Sequence, residues 1–299
     1  NVAIGDEAGT AITTGDGNTA LGYNALKTAA TSSNNTAIGL SAMELTTTGA
    51  QNTAVGRLSL DALTEGSANV ALGNATLTAD TKGSKSIAVG NAALGAQNFT
   101  TATDTYNVAV GYNAGTAVTT GTQNTLIGAL AGDALLAAAD NVAVGYLALS
   151  TETGGQNNVA IGRQSLTAQV NSSGNIYNTA VGAGAGQAMT TGIRNTLIGG
   201  LAGDVLTDAD FNTAVGQQAL TADTLGSHST GLGYGALGTQ NFTTATDTYN
   251  TAVGSLAGTG VTTATHNTLI GGLAGTAITI GVRNTAVGSA ALDAEVAGH

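Results

Sequence analysis

The sequence predicts an all-β chain, a parallel β-solenoid of 17 coils of about 17 residues each. Three observations predict it. First, a pentad of the form Asn-Thr/Val-Ala-Val/Ile-Gly recurs throughout, beginning at Asn1, Asn18, Asn35 and Asn52 and ending with the unit that starts at Asn284. Second, successive starts lie 17 residues apart, with steps of 21 after Ser86 and Ser229 and of 20 after Asn158. Third, the fifth position is Gly in all 17 units. A period this short falls below those of helical repeats and propeller blades and fits one coil of a solenoid.

Each position of the unit makes its own demand. Position 1 is Asn in 15 units and Ser in two, Ser86 and Ser229. Stacked coils would turn these into a ladder, with the side-chain amides of Asn18, Asn35, Asn52, Asn124, Asn195 and Asn267 bonding to the Asn one coil above and below. Position 2 is always β-branched, and position 4 is always Val, Ile or Leu. This is strand chemistry, so positions 1 to 5 are expected to form a strand with side chains 2 and 4 on one face.

Position 3, on the opposite face, is Ala in 13 units, Leu in three (Leu126, Leu197, Leu269) and Gly231 once, so that face must meet something very close. Position 8 is Ala, Ser or Thr, and position 9 is Leu or Met43 in ten units and Gly in seven. A second, shorter strand is expected near positions 8 to 11. A turn is expected where Thr-Thr-Gly recurs, as at Thr47, Thr48 and Gly49. Coils stacked at the strand spacing would build a rod of roughly 80 Å.

The long steps are insertions into the unit, near residues 95–106, 167–177 and 238–249. Residues 97–106 return letter for letter at 240–249. The position-3 Leu recurs at 126, 197 and 269, so four units and one insertion make a super-repeat. The insertions hold five of the ten aromatics: Phe99, Tyr106, Tyr177, Phe242 and Tyr249. Two readings stand side by side. Exposed loop aromatics can bind a cell-surface glycan or protein, or the rings can plug gaps in the core.

Composition sets limits. Of 299 residues, 18 are Asp or Glu and 7 are Lys or Arg, a net charge of −11 that argues against binding nucleic acid backbones. There is no Cys, which excludes disulfides and thiolate metal sites, and no Pro. No apolar run approaches the roughly 20 residues of a membrane helix, so no membrane insertion is expected. His228, His266 and His299 have no metal spacing, and His228 and His266 fall where a surface turn is expected. Neither a phosphate loop nor a catalytic constellation is legible, so no enzyme, cofactor or metal site is expected.

The aliphatic rank at position 4 is the open question for a single chain. Left in water, it would be an apolar stripe larger than monomers tolerate. Three chains about one axis would bury it, with Ile38, Val55, Val110, Ile127, Val181, Ile198, Val253 and Ile270 as core candidates. The competing assignment places position 4 inside a monomeric solenoid and Ala outside.

The string from Asn18 to Leu26, followed by another Asn-Thr-Ala-Ile-Gly at 35–39, resembles the repeats of phage tail-fibre and related surface proteins that often end in an endosialidase-type intramolecular chaperone. It is also similar to the head repeats of trimeric autotransporter adhesins, whose β-rolls are left-handed homotrimers. The resemblance implies a trimeric extracellular or virion-surface fibre that holds an attachment tip, joined to flanking segments at both ends. Two alternatives remain open: a self-assembling extracellular filament and a monomeric ice-binding solenoid, the latter prompted by the recurrent Thr.

Overall fold

The computed structural model of the chain describes residues 1–294. The chain divides into two units, Asn1–Tyr146 and Leu147–His299. Among the described residues there is no helix, and each unit is a β-solenoid.

In the first unit, nine three-residue strands recur one per coil, from Val2–Ile4 and Thr19–Leu21 to Thr125–Ile127 and Val142–Val144. Their pairing is parallel and in register, as in Val2↔Thr19 and Ala37↔Ala54. The second unit has eight, from Val159–Ile161 to Thr285–Val287, paired in the same way. The insertions do not disturb this register: Ile87 still faces Val108, Val159 faces Thr179 and Thr230 faces Thr251. In two of them the extra residues make a short rung of their own, Thr103–Asp104 on Gly83–Ser84 and Thr246–Asp247 on Gly226–Ser227.

Each strand spans positions 2 to 4, shorter than the expected five, and the second strand at positions 8 to 11 is absent. Gly at position 5 ends the strand at a φ near +135°, for example +137° at Gly56. From there the backbone steps in and out of the left-handed region, with positive φ at positions 7 and 9 of every coil, such as Asn24 and Leu26. A turn closes from the position-8 N–H to the position-5 carbonyl (Ala25 to Gly22, 3.3 Å). The next N–H groups reach the neighbouring coil, from Leu26 to Ala42 (3.1 Å) and from Thr28 to Glu44 (3.2 Å). Inter-coil bonding thus continues without a strand. Left-handed geometry also accounts for Leu, Met or Gly at position 9, since a β-branched residue would be strained there.

The interior is thin. Position 3 and position 8 are fully buried, as at Ala20, Ala25, Ala37 and Ala42, and so are the position-9 side chains Leu26, Met43, Leu60 and Leu77. Gly at position 5 is obligatory for a second reason: a Cβ on Gly56 would sit 2.1 Å from the Gly73 carbonyl oxygen of the next coil.

Position 3 and position 9 trade volume. The fully buried Leu126, Leu197 and Leu269 fill space left by position-9 Gly in two successive coils each. A Cβ on Gly115 would meet Leu126 at 2.6 Å and one on Gly132 at 2.7 Å; Gly186 and Gly203 stand in the same relation to Leu197, both at 2.9 Å. Position 12 supplies the remaining volume, since Val118, Leu135, Met189, Leu206, Val261 and Ile278 are fully buried in the same six coils, and a Cβ on Gly203 would meet Leu206 at 2.7 Å.

Candidate functional site

The Asn ladder forms, with a geometry more specific than amide-to-amide stacking. Each side chain crosses its own coil. Asn18 donates from Nδ2 to the Ser32 carbonyl (2.8 Å), Asn35 to Gly49 (2.9 Å), Asn52 to Gly66 (2.9 Å), Asn124 to Ala138 (2.8 Å), Asn195 to Ala209 (2.7 Å) and Asn267 to Gly281 (2.9 Å). Each Oδ1 then accepts the backbone N–H one coil on, such as Asn35 N to Asn18 Oδ1 (3.0 Å) and Asn52 N to Asn35 Oδ1 (2.9 Å). The amide-to-amide contacts are longer, 3.3 Å from Asn35 Nδ2 to Asn18 Oδ1. All six side chains are buried, so each satisfies buried backbone groups that nothing else reaches. This role is structural.

The position-4 rank faces outward, which rules out the assignment of position 4 to the inside and Ala to the outside. In the first unit Val55 and Ile127 are exposed, Ile127 at 39%, while Ile38 and Val110 are half-buried. In the second unit Ile198 and Ile270 are exposed, and Val181 and Val253 half-buried. Each unit therefore carries a continuous aliphatic row on its sheet face, one side chain per coil.

The insertion aromatics divide by type. Phe99 and Phe242 are buried, at 7% and 6%, as core plugs. Tyr106, Tyr177 and Tyr249 are about half exposed, with φ of 52°, 59° and 51°.

Beneath each insertion lies a buried carboxylate that sequence reasoning missed. Asp80 accepts from Gly83 N (3.0 Å), Phe99 N (3.1 Å) and Gln97 Nε2 (2.6 Å), and Gln97 also reaches Ser86 Oγ (2.9 Å). The duplicate repeats it: Asp223 accepts from Gly226 N (3.1 Å), Phe242 N (3.0 Å) and Gln240 Nε2 (2.5 Å). Burial pushes the Asp223 carboxyl above its ordinary value, against these hydrogen bonds, which lower it. In the third insertion Glu152 takes the part, receiving Gly155 N (2.8 Å), Asn171 N (3.0 Å) and Gln169 Nε2 (2.8 Å). The Gln then hands on to the ladder, with Asn107 Nδ2 on Gln97 Oε1, Asn178 on Gln169 and Asn250 on Gln240, all at 2.9 Å. These carboxylates anchor the insertions, two of which lie in a coil where Ser86 or Ser229 replaces the ladder Asn. The register signal was available: all three sit at position 12 of their coils.

A second missed feature lies at the last residue of each coil, immediately before the ladder Asn or Ser. This closing residue has a left-handed backbone in every coil that another coil follows, from Gly17 and Asn34 to Arg283. In the second unit the closing residues stack outside the solenoid. The Arg194 guanidinium lies 5.3 Å over the Phe211 ring, and Phe211 stacks on His228 at 4.8 Å with planes 8° apart. His228 stacks on Tyr249 at 5.1 Å, and Tyr249 meets His266 at 5.3 Å. Arg283 closes the next coil. The first unit has one counterpart, Lys85, 5.2 Å from the Tyr106 ring and paired with Asp104 at 2.6 Å, an ion pair whose hydrogen bond raises the Lys85 pKa. Here His228 and His266 occupy the surface, as expected; His299 lies outside the described residues.

Among the described residues, no group of three or more His, Cys, Asp or Glu could hold a metal ion, and no helix is long and apolar enough to cross a membrane. No family model, curated protein or solved structure matches the chain.

Proposed function

We propose that this chain is the structural shaft of a homotrimeric extracellular fibre, of a phage tail fibre or a bacterial surface adhesin, presenting an attachment tip. One observation carries the reading: the outward aliphatic row through Val55 and Ile127 in one unit and Ile198 and Ile270 in the other. Monomers seldom leave such a row in water, and a second and third copy with the same row would cover it by cyclic symmetry. The resemblance of the 17-residue unit to fibre repeats supplies the biological setting and an extracellular or virion-surface location. Flanking fibre segments and a glycan or protein receptor at the tip belong to the same proposal.

The test is the solution mass by light scattering, at several concentrations. A value near three times 28.8 kDa is expected. A monomer at all concentrations overturns the proposal. Replacing Ile127 and Ile198 by Lys sharpens the result, because both side chains are already exposed in the single chain and the fold should survive. The variant is expected to fall to monomer mass.

The ice-binding alternative has less support. Its Thr-Thr-Gly hydroxyls are committed to backbone carbonyls one coil on, as Thr47 to Thr64 (3.1 Å) and Thr119 to Leu136 (3.0 Å). The first Thr of each such turn is therefore not free to order water. Inhibition of ice recrystallisation by the monomer would restore that alternative.

A further inference from the structure

The duplicated insertion gives the chain two copies of one module that differ at a single telling place. Residues 97–106 and 240–249 are identical, and each copy rests on a seat of the same form, Gly83-Ser84-Lys85-Ser86 in the first unit and Gly226-Ser227-His228-Ser229 in the second. The rungs match: Thr103–Asp104 pairs with Gly83–Ser84 and Thr246–Asp247 with Gly226–Ser227. The Thr105 and Thr248 N–H groups donate to the Ser84 and Ser227 carbonyls, both at 2.9 Å. Beneath them Asp80 and Asp223 accept from the same three partners. Just before the seat Lys82 stands against Leu225, but the Lys82 side chain pairs with Glu65 (2.9 Å) rather than with the insertion. The remaining difference, Lys85 against His228, is the residue that meets the acidic rung.

In the first unit that residue is a permanent cation, with Lys85 Nζ 2.6 Å from Asp104 Oδ2 and 3.2 Å from the Tyr106 hydroxyl. In the second it is an imidazole. His228 Nε2 stands 3.7 Å from Asp247 Oδ1, and its ring stacks on Phe211 at 4.8 Å and on Tyr249 at 5.1 Å. We propose that His228 is a proton-operated latch on the second insertion, closing on Asp247 when the imidazole takes up a proton, while the first insertion, held by Lys85, is indifferent to pH.

Histidine changes charge between about pH 5 and 8. A neutral ring at 3.7 Å offers Asp247 no hydrogen bond. A protonated ring gains a charge-assisted bond to Asp247 and two aromatic faces, Phe211 and Tyr249, that attract a cation. The other charged and titratable groups around it leave this pairing in place. Arg194 lies beyond Phe211 and His266 packs on Tyr249 from the next coil, both at 5.3 Å from those rings. Each is two coils from His228, roughly 10 Å at the strand spacing, about one screening length in ordinary salt. Asp210 gives its backbone carbonyl to His228 N (3.0 Å), and its carboxylate takes the Ile193 N–H (2.8 Å). The Tyr249 hydroxyl makes only a 3.5 Å contact to Asp247 Oδ2. Both latch partners are partly exposed, at 34% and 61%, so the effect is severalfold and not a matter of decades. Since the closed insertion prefers the charged ring, its stabilisation is present at low pH and is lost as pH rises through the histidine range. The latch does not rest on the trimer, whose test is a mass.

The experiment is hydrogen exchange of the intact chain, read by mass spectrometry from about pH 5 to about pH 8. Peptides covering the two insertions are told apart by their flanks, Ala96 and Val108 against Thr239 and Thr251. Identical sequences share their intrinsic exchange rates at every pH, so the ratio of protection between the two isolates what the fold adds. Protection of the second insertion relative to the first is expected to rise about three- to tenfold from pH 8 to pH 5. Asp247→Asn, made together with Asp104→Asn so that the two sequences stay alike, should flatten the ratio. The exchange of Lys85→His with His228→Lys should move the pH dependence to the first insertion. Each residue then occupies a backbone conformation that the other already holds, φ of 63° and 61°, so the exchanged chain should fold. Asp80 and Asp223 stay in place throughout, which separates the latch from these buried carboxylates. A ratio that is flat with pH in the unaltered chain, a dependence that survives Asp247→Asn, or one that stays with the second insertion after the exchange would overturn the proposal.

Discussion

At the last residue of each coil the two units make different choices on the same backbone, one continuous stack in the second and a single pair in the first. The first unit fills the left-handed position with Gly17, Asn34, Gln51 and Ala68, then with Lys85, Tyr106, Gln123 and Asp140, of which only Lys85 and Tyr106 meet. The second fills it with Arg194, Phe211, His228, Tyr249, His266 and Arg283, the first five of which meet in turn. Strand register, Asn ladder and interior are otherwise alike. A repeat fold thus separates what the backbone requires from what the surface is free to vary, and the difference between the units isolates the variable part.

The comparison breaks most severely where the two units agree. Gly56→Ala in the first and Gly199→Ala in the second both place a Cβ within 2.5 Å of a carbonyl oxygen at φ of +137°. Each is expected to cost more than about 4 kcal/mol, in the range reserved for unrelievable strain, and thermal unfolding should show equal losses in the two units. Next comes the volume exchange: Leu197→Ala should cost about 3 kcal/mol as a core cavity. Adding Gly203→Leu should recover part of it, because Leu220 already holds the same position at φ of 53°. Failure of the double variant to recover stability would show that the two positions do not share one volume.

Asn52→Ala ranks third. It strips the acceptor from Asn69 N and the donor from the Gly66 carbonyl, for about 2 to 3 kcal/mol in denaturant titration. The smallest effect is the graft of one unit's surface on the other, Asn34→Phe with Gln51→His, expected to change stability by less than about 1 kcal/mol, since stacking and left-handed strain offset.

Acidity provides a further comparison. Asp61 and Asp133 in the first unit and Asp223 in the second are all raised from the ordinary 3.8 by burial. The folded chain therefore binds more protons than the unfolded chain above that value. Their stabilising contribution is fully present below pH 3.8 and is lost as pH rises through the raised values. The midpoint of thermal unfolding is expected to be higher near pH 5 than near pH 7.5, and Asp223→Asn should flatten the slope.

Much of this was legible in the sequence. The 17-residue register, the opposite faces of positions 3 and 4 and the Asn ladder follow from alternation and period, whereas which face turns inward is decided only by the burial of the Ala row. The missing second strand was not, because Leu at position 9 has the apolarity of a strand residue and betrays its left-handed φ only by never being β-branched. Leu126 and Gly132 were visible singly, but their exchange of volume crosses the coil and needs three dimensions. The column at the closing residues was hidden less by spacing, since Arg194, Phe211 and His228 keep the 17-residue step, than by the absence of any one residue type at that position.

The ladder bonds have a consequence for how the chain reaches its fold. They join residues 14 positions apart within a coil or 17 between neighbouring coils, and 20 across the insertion after Asn158. Sequence separation therefore stays constant however many coils a unit holds, whereas in a β-sandwich it grows with size. Formation of the first two coils carries the loop-closure cost, and each later coil docks on a finished template. Folding time should then grow no faster than the number of coils, as a zipper closes.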